Sequence, residues 1–138
     1  MKVIFVCTGN TCRSPMAEGI FKSLVQDKEY SVKSAGLSAA EGIPPTQNAV
    51  VACGEIGIDI SEHKSEPFVY DESTDLFVAM TMEHALYLTQ LKVPKNKIYV
   101  LDVSDPYGGD IEVYRKTRDQ ILKALKTLLE KIEKNGDR

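Results

Sequence analysis

The chain has 138 residues, 43% hydrophobic and 27% charged, with no tryptophan and a formal net charge of −3. That length fits one domain, whose folding buries roughly 70% of the unfolded chain's surface. No Lys/Arg block or basic face stands out, which disfavours a nucleic-acid partner. The apolar run Val3 to Cys7 is too short for a signal peptide or a membrane span. No membrane association is therefore expected, and the cytoplasm is the expected location. Three cysteines do not make a secreted disulfide framework.

Apolar runs alternate with helical patterns from end to end. Lys2 to Val6 reads as a buried strand. Over Pro15 to Gln26, Met16, Ala17, Ile20, Phe21, Leu24 and Val25 recur at helical spacing, with Ser14 as N-cap and Pro15 suited to the first helical position. Tyr30 to Ser34 is a short strand ending at Ala35-Gly36, and Gly42 to Pro45 is a turn. Thr46 to Glu55 is a helix stopped near Gly57. Leu76 to Met80 is the clearest central strand, Met82 to Leu91 a helix ended by Pro94, and Ile98 to Leu101 the fourth strand. Ser104 to Asp110 is a loop and Ile111 to Lys134 a long helix, with Asn135 to Arg138 expected to fray. Continuous apolar strands separated by helices imply an α/β fold: one doubly wound domain over residues 1–138, with a four-stranded parallel sheet and helices on both faces. Ligands of such sheets bind beyond the C-terminal ends of the strands. Cys7 and Asp105 both fall at that edge.

Between the first strand and first helix runs Cys7-Thr8-Gly9-Asn10-Thr11-Cys12-Arg13-Ser14. A loop feeding a helix N-terminus presents unpaired N–H groups and the positive end of the helix dipole to one spot, an oxyanion cradle. Thr8, Gly9, Asn10, Thr11, Cys12 and Ser14 are the expected phosphate-binding residues. Arg13 adds a planar guanidinium that grips two phosphate oxygens. A cysteine is usually a buried filler, but Cys7 has surroundings that favour a thiolate. Gly9 is expected to turn the backbone, and Asn10 to tolerate left-handed angles and lock the loop. Ser14 has a second role open to it, donor to the Cys7 sulfur. A nucleophile, an anion cradle and an arginine within eight residues suggest phosphoryl transfer through a thiolate, and a phosphatase also needs an acid for the leaving group. Asp110 is placed to cap the last helix, Asp102 reads as a solvated loop residue, and Asp105, fixed by Pro106, is the acid candidate. Cys12 either pairs reversibly with Cys7, which would make a thiol reductant a partner, or is a small buried residue under the loop. Cys53 lies in an apolar helix and reads as core. His63 either supports the loop or lies on the surface. No cofactor is expected, and His63 and His84 lack metal-ligand spacing.

Cys7-x5-Arg13-Ser14-Pro15 at the very N-terminus with Asp105-Pro106 downstream resembles the low-molecular-weight protein tyrosine phosphatases. Ser34-Ala35-Gly36 and Gly57-Ile58-Asp59 followed by His63 add to the resemblance, which covers nearly the whole chain. It implies a metal-independent phosphatase acting on phosphorylated proteins. Cys7 becomes a phosphocysteine, Arg13 clamps phosphate, Asp105 is acid and then base, and Asn10, Ser14 and Ser34 form a supporting network. Tyrosine-specific members typically carry an aliphatic residue where Thr11 stands and often two aromatics after Asp-Pro. Thr11 and Tyr107-Gly108-Gly109, with Ile111 to Asp119 behind them, look like the bacterial protein arginine phosphatase branch. The expected substrate is therefore phosphoarginine, with phosphotyrosine as the alternative. An arsenate reductase on this scaffold would relay a disulfide through cysteines near residues 80–90, where this chain has none. An idle phospho-binding module is a further alternative, and a Cys-His protease finds no supporting histidine context.

Overall fold

The computed structural model describes residues 1–26 and 28–136. The strands are β1 (Lys2–Cys7), β2 (Ser31–Gly36), β3 (Leu76–Ala79) and β4 (Ile98–Val100). They form one parallel sheet in the order β2-β1-β3-β4. The helices are α1 (Arg13–Leu24), α2 (Gln47–Gly54), α3 (Met82–Gln90) and α4 (Ile111–Gly136), with one turn of 3₁₀ helix at Lys95–Lys97. Helix α4 continues through Asn135 to Gly136, beyond where fraying was expected; residues 137–138 of that expectation lie outside the described residues.

The strands read as continuous apolar runs because each face of the sheet is covered. Val3, Phe5, Cys7 and Val78 share a core with Met16, Ile20 and Phe21 of α1, Ala49 and Ala52 of α2, and Ile121 and Leu125 of α4. Val6, Phe77 and Ala79 point the other way, into a smaller cluster with Ala85 and Leu88 of α3 and with Phe68 and Tyr70. This alternation follows from the period of two along a strand. Helices lie on both faces as expected, three on one side and α3, with the 68–70 segment, on the other.

Chain order reverses between β1 and β3: β1 leads outward to β2 through α1, whereas β3 leads to β4 through α3. The C-terminal ends of β1 and β3 flank this switch point, where doubly wound sheets bind ligands. Strand β4 is shorter than the apolar run predicts. Asp102 takes φ 64, a left-handed value uncommon outside glycine, and the strand ends before it. Leu101 N–H still donates to Ala79 O at 2.8 Å, and Val103 N–H to Met80 O at 2.8 Å, so the kink carries the chain along the sheet edge toward Asp105.

Candidate active site

Cys7 ends β1 at 3% exposure, and the loop then wraps its sulfur. Asn10 N–H donates to Cys7 Sγ at 3.3 Å, and Ser14 Oγ lies 2.8 Å from the same atom. The Asn10 side-chain amide donates to Ser14 Oγ at 2.8 Å and to Ser34 Oγ at 3.0 Å, while its oxygen accepts from Glu66 N–H at 3.0 Å. Ser34 in turn donates to Glu18 at 2.5 Å. His63 Nε2 contacts the Asn10 carbonyl at 3.1 Å, so of its two open readings, support of the loop is the one found.

Two details differ from the sequence reading. Ser14 is not the N-cap. The backbone turns helical at Arg13, with Cys12 at the cap position and making no side-chain cap bond. Ser14 and Pro15 are thus inside the first turn, and the Ser14 hydroxyl faces the sulfur. Asn10 takes the left-handed angle expected of it, φ 57, but the turn does not require a glycine at Gly9, where a Cβ would meet only Thr11 Oγ1 at 3.7 Å. The glycine the loop requires is Gly36 of β2, where a Cβ would stand 2.6 Å from Thr8 O and 3.0 Å from Asn10 N. Close approach of two backbones is a reason for glycine that local sequence does not reveal.

Arg13 is 6% exposed. Its Nη1 donates to Val103 O at 3.1 Å and its Nη2 lies 3.7 Å from Asp105 Oδ2. Val103 directly follows the left-handed Asp102. Asp105 Oδ1 accepts from Tyr107 N–H at 3.0 Å, a turn that fixes the carboxylate. Cys7, Thr8, Gly9, Asn10, Thr11, Cys12, Arg13, Asp105 and Tyr107 together line a cavity of about 200 Å³. Asp102 does not line it, and Asp110 caps α4 by accepting Val113 N–H at 3.1 Å. Tyr107, 74% exposed, stands at the cavity mouth.

Behind the loop, Cys12 Sγ lies 3.4 Å from Tyr114 Oη and 3.6 Å from Thr46 Oγ1. All three cysteines are buried free thiols. Burial, and the hydrogen bond with Cys12, push Tyr114 up to about 12. Cys53 is fully buried in the core as expected, and desolvation pushes its thiol up to about 11. Sequence reading missed His84, Tyr114 and Thr46. His84 bridges Thr8 Oγ1 at 2.9 Å and Thr81 Oγ1 at 3.1 Å; the one available signal was Thr81 three residues before it, an N-cap spacing. Among the described residues no group of three or more His, Cys, Asp or Glu is placed to hold a metal ion, and no helix is long and apolar enough to cross a membrane.

Comparison with known proteins agrees with this geometry. A protein-arginine-phosphatase of Bacillus subtilis is 39% identical, with 98% of this chain and 99% of the relative covered. An arsenate reductase of Halalkalibacterium halodurans is 42% identical over 93% of this chain and 94% of its own. Among solved structures, a cysteine-to-serine mutant of the YwlE arginine phosphatase, with its active-site serine phosphorylated, matches at a TM-score of 0.90 and 38% identity, covering 97% of each chain. A family model described as low molecular weight phosphotyrosine protein phosphatase matches residues 2–138, and the chain belongs to that family.

Proposed function

We propose that the chain, as one phosphatase domain, hydrolyses phosphorylated proteins through a phosphocysteine, with phosphoarginine the preferred substrate. The observation that carries the reading is the convergence on Cys7 Sγ of Asn10 N–H and Ser14 Oγ, at 3.3 and 2.8 Å, beside a cavity shared with Arg13 and Asp105. The Cys7 thiolate attacks phosphorus in line. The bond from phosphorus to the leaving nitrogen or oxygen breaks, and Asp105 gives that atom its proton. Water then attacks the phosphocysteine, Asp105 takes a proton from it, the P–S bond breaks and inorganic phosphate leaves. Charge on the transferring phosphoryl oxygens is met by Arg13 and by the N–H groups of Thr8, Gly9, Asn10, Thr11, Cys12 and Ser14. Asn10, Ser14 and Ser34 hold the loop in register.

Thr11 supports the arginine preference. A guanidine leaving group carries several N–H donors, and an aliphatic wall would leave them unpaired at about 1–3 kcal/mol each; a hydroxyl accepts one. The similarity to the arginine phosphatase of B. subtilis supports the same reading. The exposed Tyr107 ring at the mouth favours phosphotyrosine as a second reading, because an aryl substrate would stack on it. Arsenate reduction fits less well, since the only cysteine besides Cys7 and Cys12 is Cys53, fully buried in the core. The cytoplasm, which keeps thiols reduced, suits a thiolate nucleophile, and a thiol reductant would act on this chain only through a Cys7–Cys12 disulfide. The test compares hydrolysis of phosphoarginine and phosphotyrosine peptides by the protein and by Thr11→Ile. Faster phosphoarginine hydrolysis, shifted toward phosphotyrosine in the variant, is expected. An unchanged preference in the variant removes Thr11 as selector, and no hydrolysis of either peptide overturns the reading.

A further inference from the structure

His84 stands outside the catalytic loop, on the first turn of α3, yet it reaches into it. The side chain is 7% exposed. Its Nε2 lies 2.9 Å from Thr8 Oγ1 and its Nδ1 lies 3.1 Å from Thr81 Oγ1. Thr8 follows the nucleophile and lines the cavity; Thr81 caps α3 and accepts the His84 backbone N–H at 3.4 Å. The imidazole therefore ties the loop after β1 to the loop after β3, across the switch point of the sheet.

The two hydroxyls allow this bridge to run in one consistent direction. Burial, and after it the Arg13 guanidinium, lower the ring's affinity for a proton against smaller opposing pulls from Glu83 and Asp105. Both influences favour the neutral ring, in which one nitrogen donates and the other accepts. Thr81 Oγ1 accepts a backbone N–H and keeps its hydroxyl hydrogen to give as well as a second lone pair; in one of the two tautomers of the ring that hydrogen goes to Nδ1. The ring proton then lies on Nε2 and faces Thr8. With its oxygen accepting, Thr8 has its own hydrogen left to point away from His84.

We propose that His84 is a positioning residue for the phosphate cradle: its Nε2–H donates to the Thr8 hydroxyl, which turns the Thr8 O–H into the cavity as a donor to the substrate's phosphoryl oxygen. This adds a side-chain donor to the backbone amides, aimed by a residue 76 positions away in sequence. It rests on the phosphatase reading, because without a phosphoryl oxygen in the cavity the aimed hydroxyl has no task.

Two measurements test it. The first is nitrogen-15 NMR of the unmodified protein at pH 7, where the chain's two histidines give separate side-chain signals and those of His84 are absent from His84→Gln. The proton is expected on Nε2, and a proton on Nδ1 overturns the inference. The second is a double-mutant cycle read with para-nitrophenyl phosphate. Thr8→Val lowers kcat/KM about tenfold or more, the scale of a hydrogen bond to a charged group. His84→Ala lowers it by a similar or smaller factor, His84→Gln recovers most of the loss, and His84→Ala adds nothing in the Thr8→Val background. An equal loss from His84→Ala with and without the Thr8 hydroxyl shows a merely structural role and overturns the proposal. Wild-type protein inert toward the ester would instead defeat the phosphatase reading itself, so the two failures are distinguishable.

Discussion

Ser14 Oγ and Cys7 Sγ lie 2.8 Å apart, and the same hydroxyl oxygen accepts the Asn10 side-chain amide at 2.8 Å. A thiolate sulfur has only lone pairs to offer, so toward the ionised nucleophile of the proposed mechanism the Ser14 hydroxyl is the donor. The bond strengthens as sulfur gains negative charge, both before attack and when the phosphoryl group leaves. Hydrogen bonds to charged groups contribute about 1.5–3 kcal/mol. Ser14→Ala should therefore lower kcat for para-nitrophenyl phosphate roughly ten- to a hundredfold, while Ser14→Thr retains most activity. Steady-state rates with thermal melts show whether the loss is catalytic; full activity in Ser14→Ala would falsify the donor role.

Asp105 lines the Cys7 cavity and approaches the Arg13 guanidinium at 3.7 Å, whereas Asp102 turns at φ 64 and does not line the cavity. A general acid contributes about 10²–10⁴-fold. Asp105→Asn should lower kcat within that range, more with a phosphoarginine peptide than with a nitrophenyl ester, whose leaving group needs little protonation. Vanadate binding should survive. An equal kinetic loss in Asp102→Asn, with Asp105→Asn unaffected, would reverse the assignment.

Gly36 sets the floor of the loop. A methyl group there would stand 2.6 Å from Thr8 O, 2.7 Å from Ala39 Cβ and 3.0 Å from Asn10 N. Two of the three neighbours are backbone atoms of the loop itself, and Gly36 N–H also donates to Glu66 O at 2.9 Å. Relief must come from shifting β2 or the loop. Gly36→Ala should cost about 1–3 kcal/mol of stability, the usual range for overpacking, and should weaken vanadate binding more than tenfold. Unchanged vanadate affinity would mean that the loop is set from elsewhere.

What the sequence made legible was local. The proposed nucleophile Cys7, the arginine and the serine fall within eight consecutive residues between a strand and a helix, and Asp-Pro marks its own turn. The parallel sheet covered on both faces was legible in the continuous apolar runs, whereas the strand order β2-β1-β3-β4 is set by long-range pairing that no local run displays. The misplaced cap has a definite cause. Capping rules take the polar residue before the helix to be non-helical, but here the loop enters the helix at Arg13 and spends the Ser14 hydroxyl on sulfur. The partners that stayed hidden are distant ones: His84 lies 76 positions from Thr8, and Tyr114 lies 102 from Cys12. Nothing in the spacing of a lone histidine or tyrosine announces which loop it will meet.

Cys53 gives a prediction about stability rather than catalysis. It is fully buried between α2 and the core, and desolvation raises its thiol from the ordinary 9.0 to about 11, against a smaller lowering by Arg118. Between those values the unfolded chain has released the thiol proton and the folded chain still holds it. The unfolded state then binds fewer protons, so stability falls as pH rises. The contribution is fully present below about pH 9 and is lost by about pH 11, on the order of 2–3 kcal/mol across two pH units. Tyr114, pushed up to about 12, extends the same trend at still higher pH. Cys53→Ala has no thiol to ionise. Its melting temperature should start lower than wild type at pH 7, because a small cavity is left, and should then decline less steeply from pH 9 to 11. Parallel curves for the two proteins in denaturant titrations over that window would show that Cys53 stays protonated in neither state or in both.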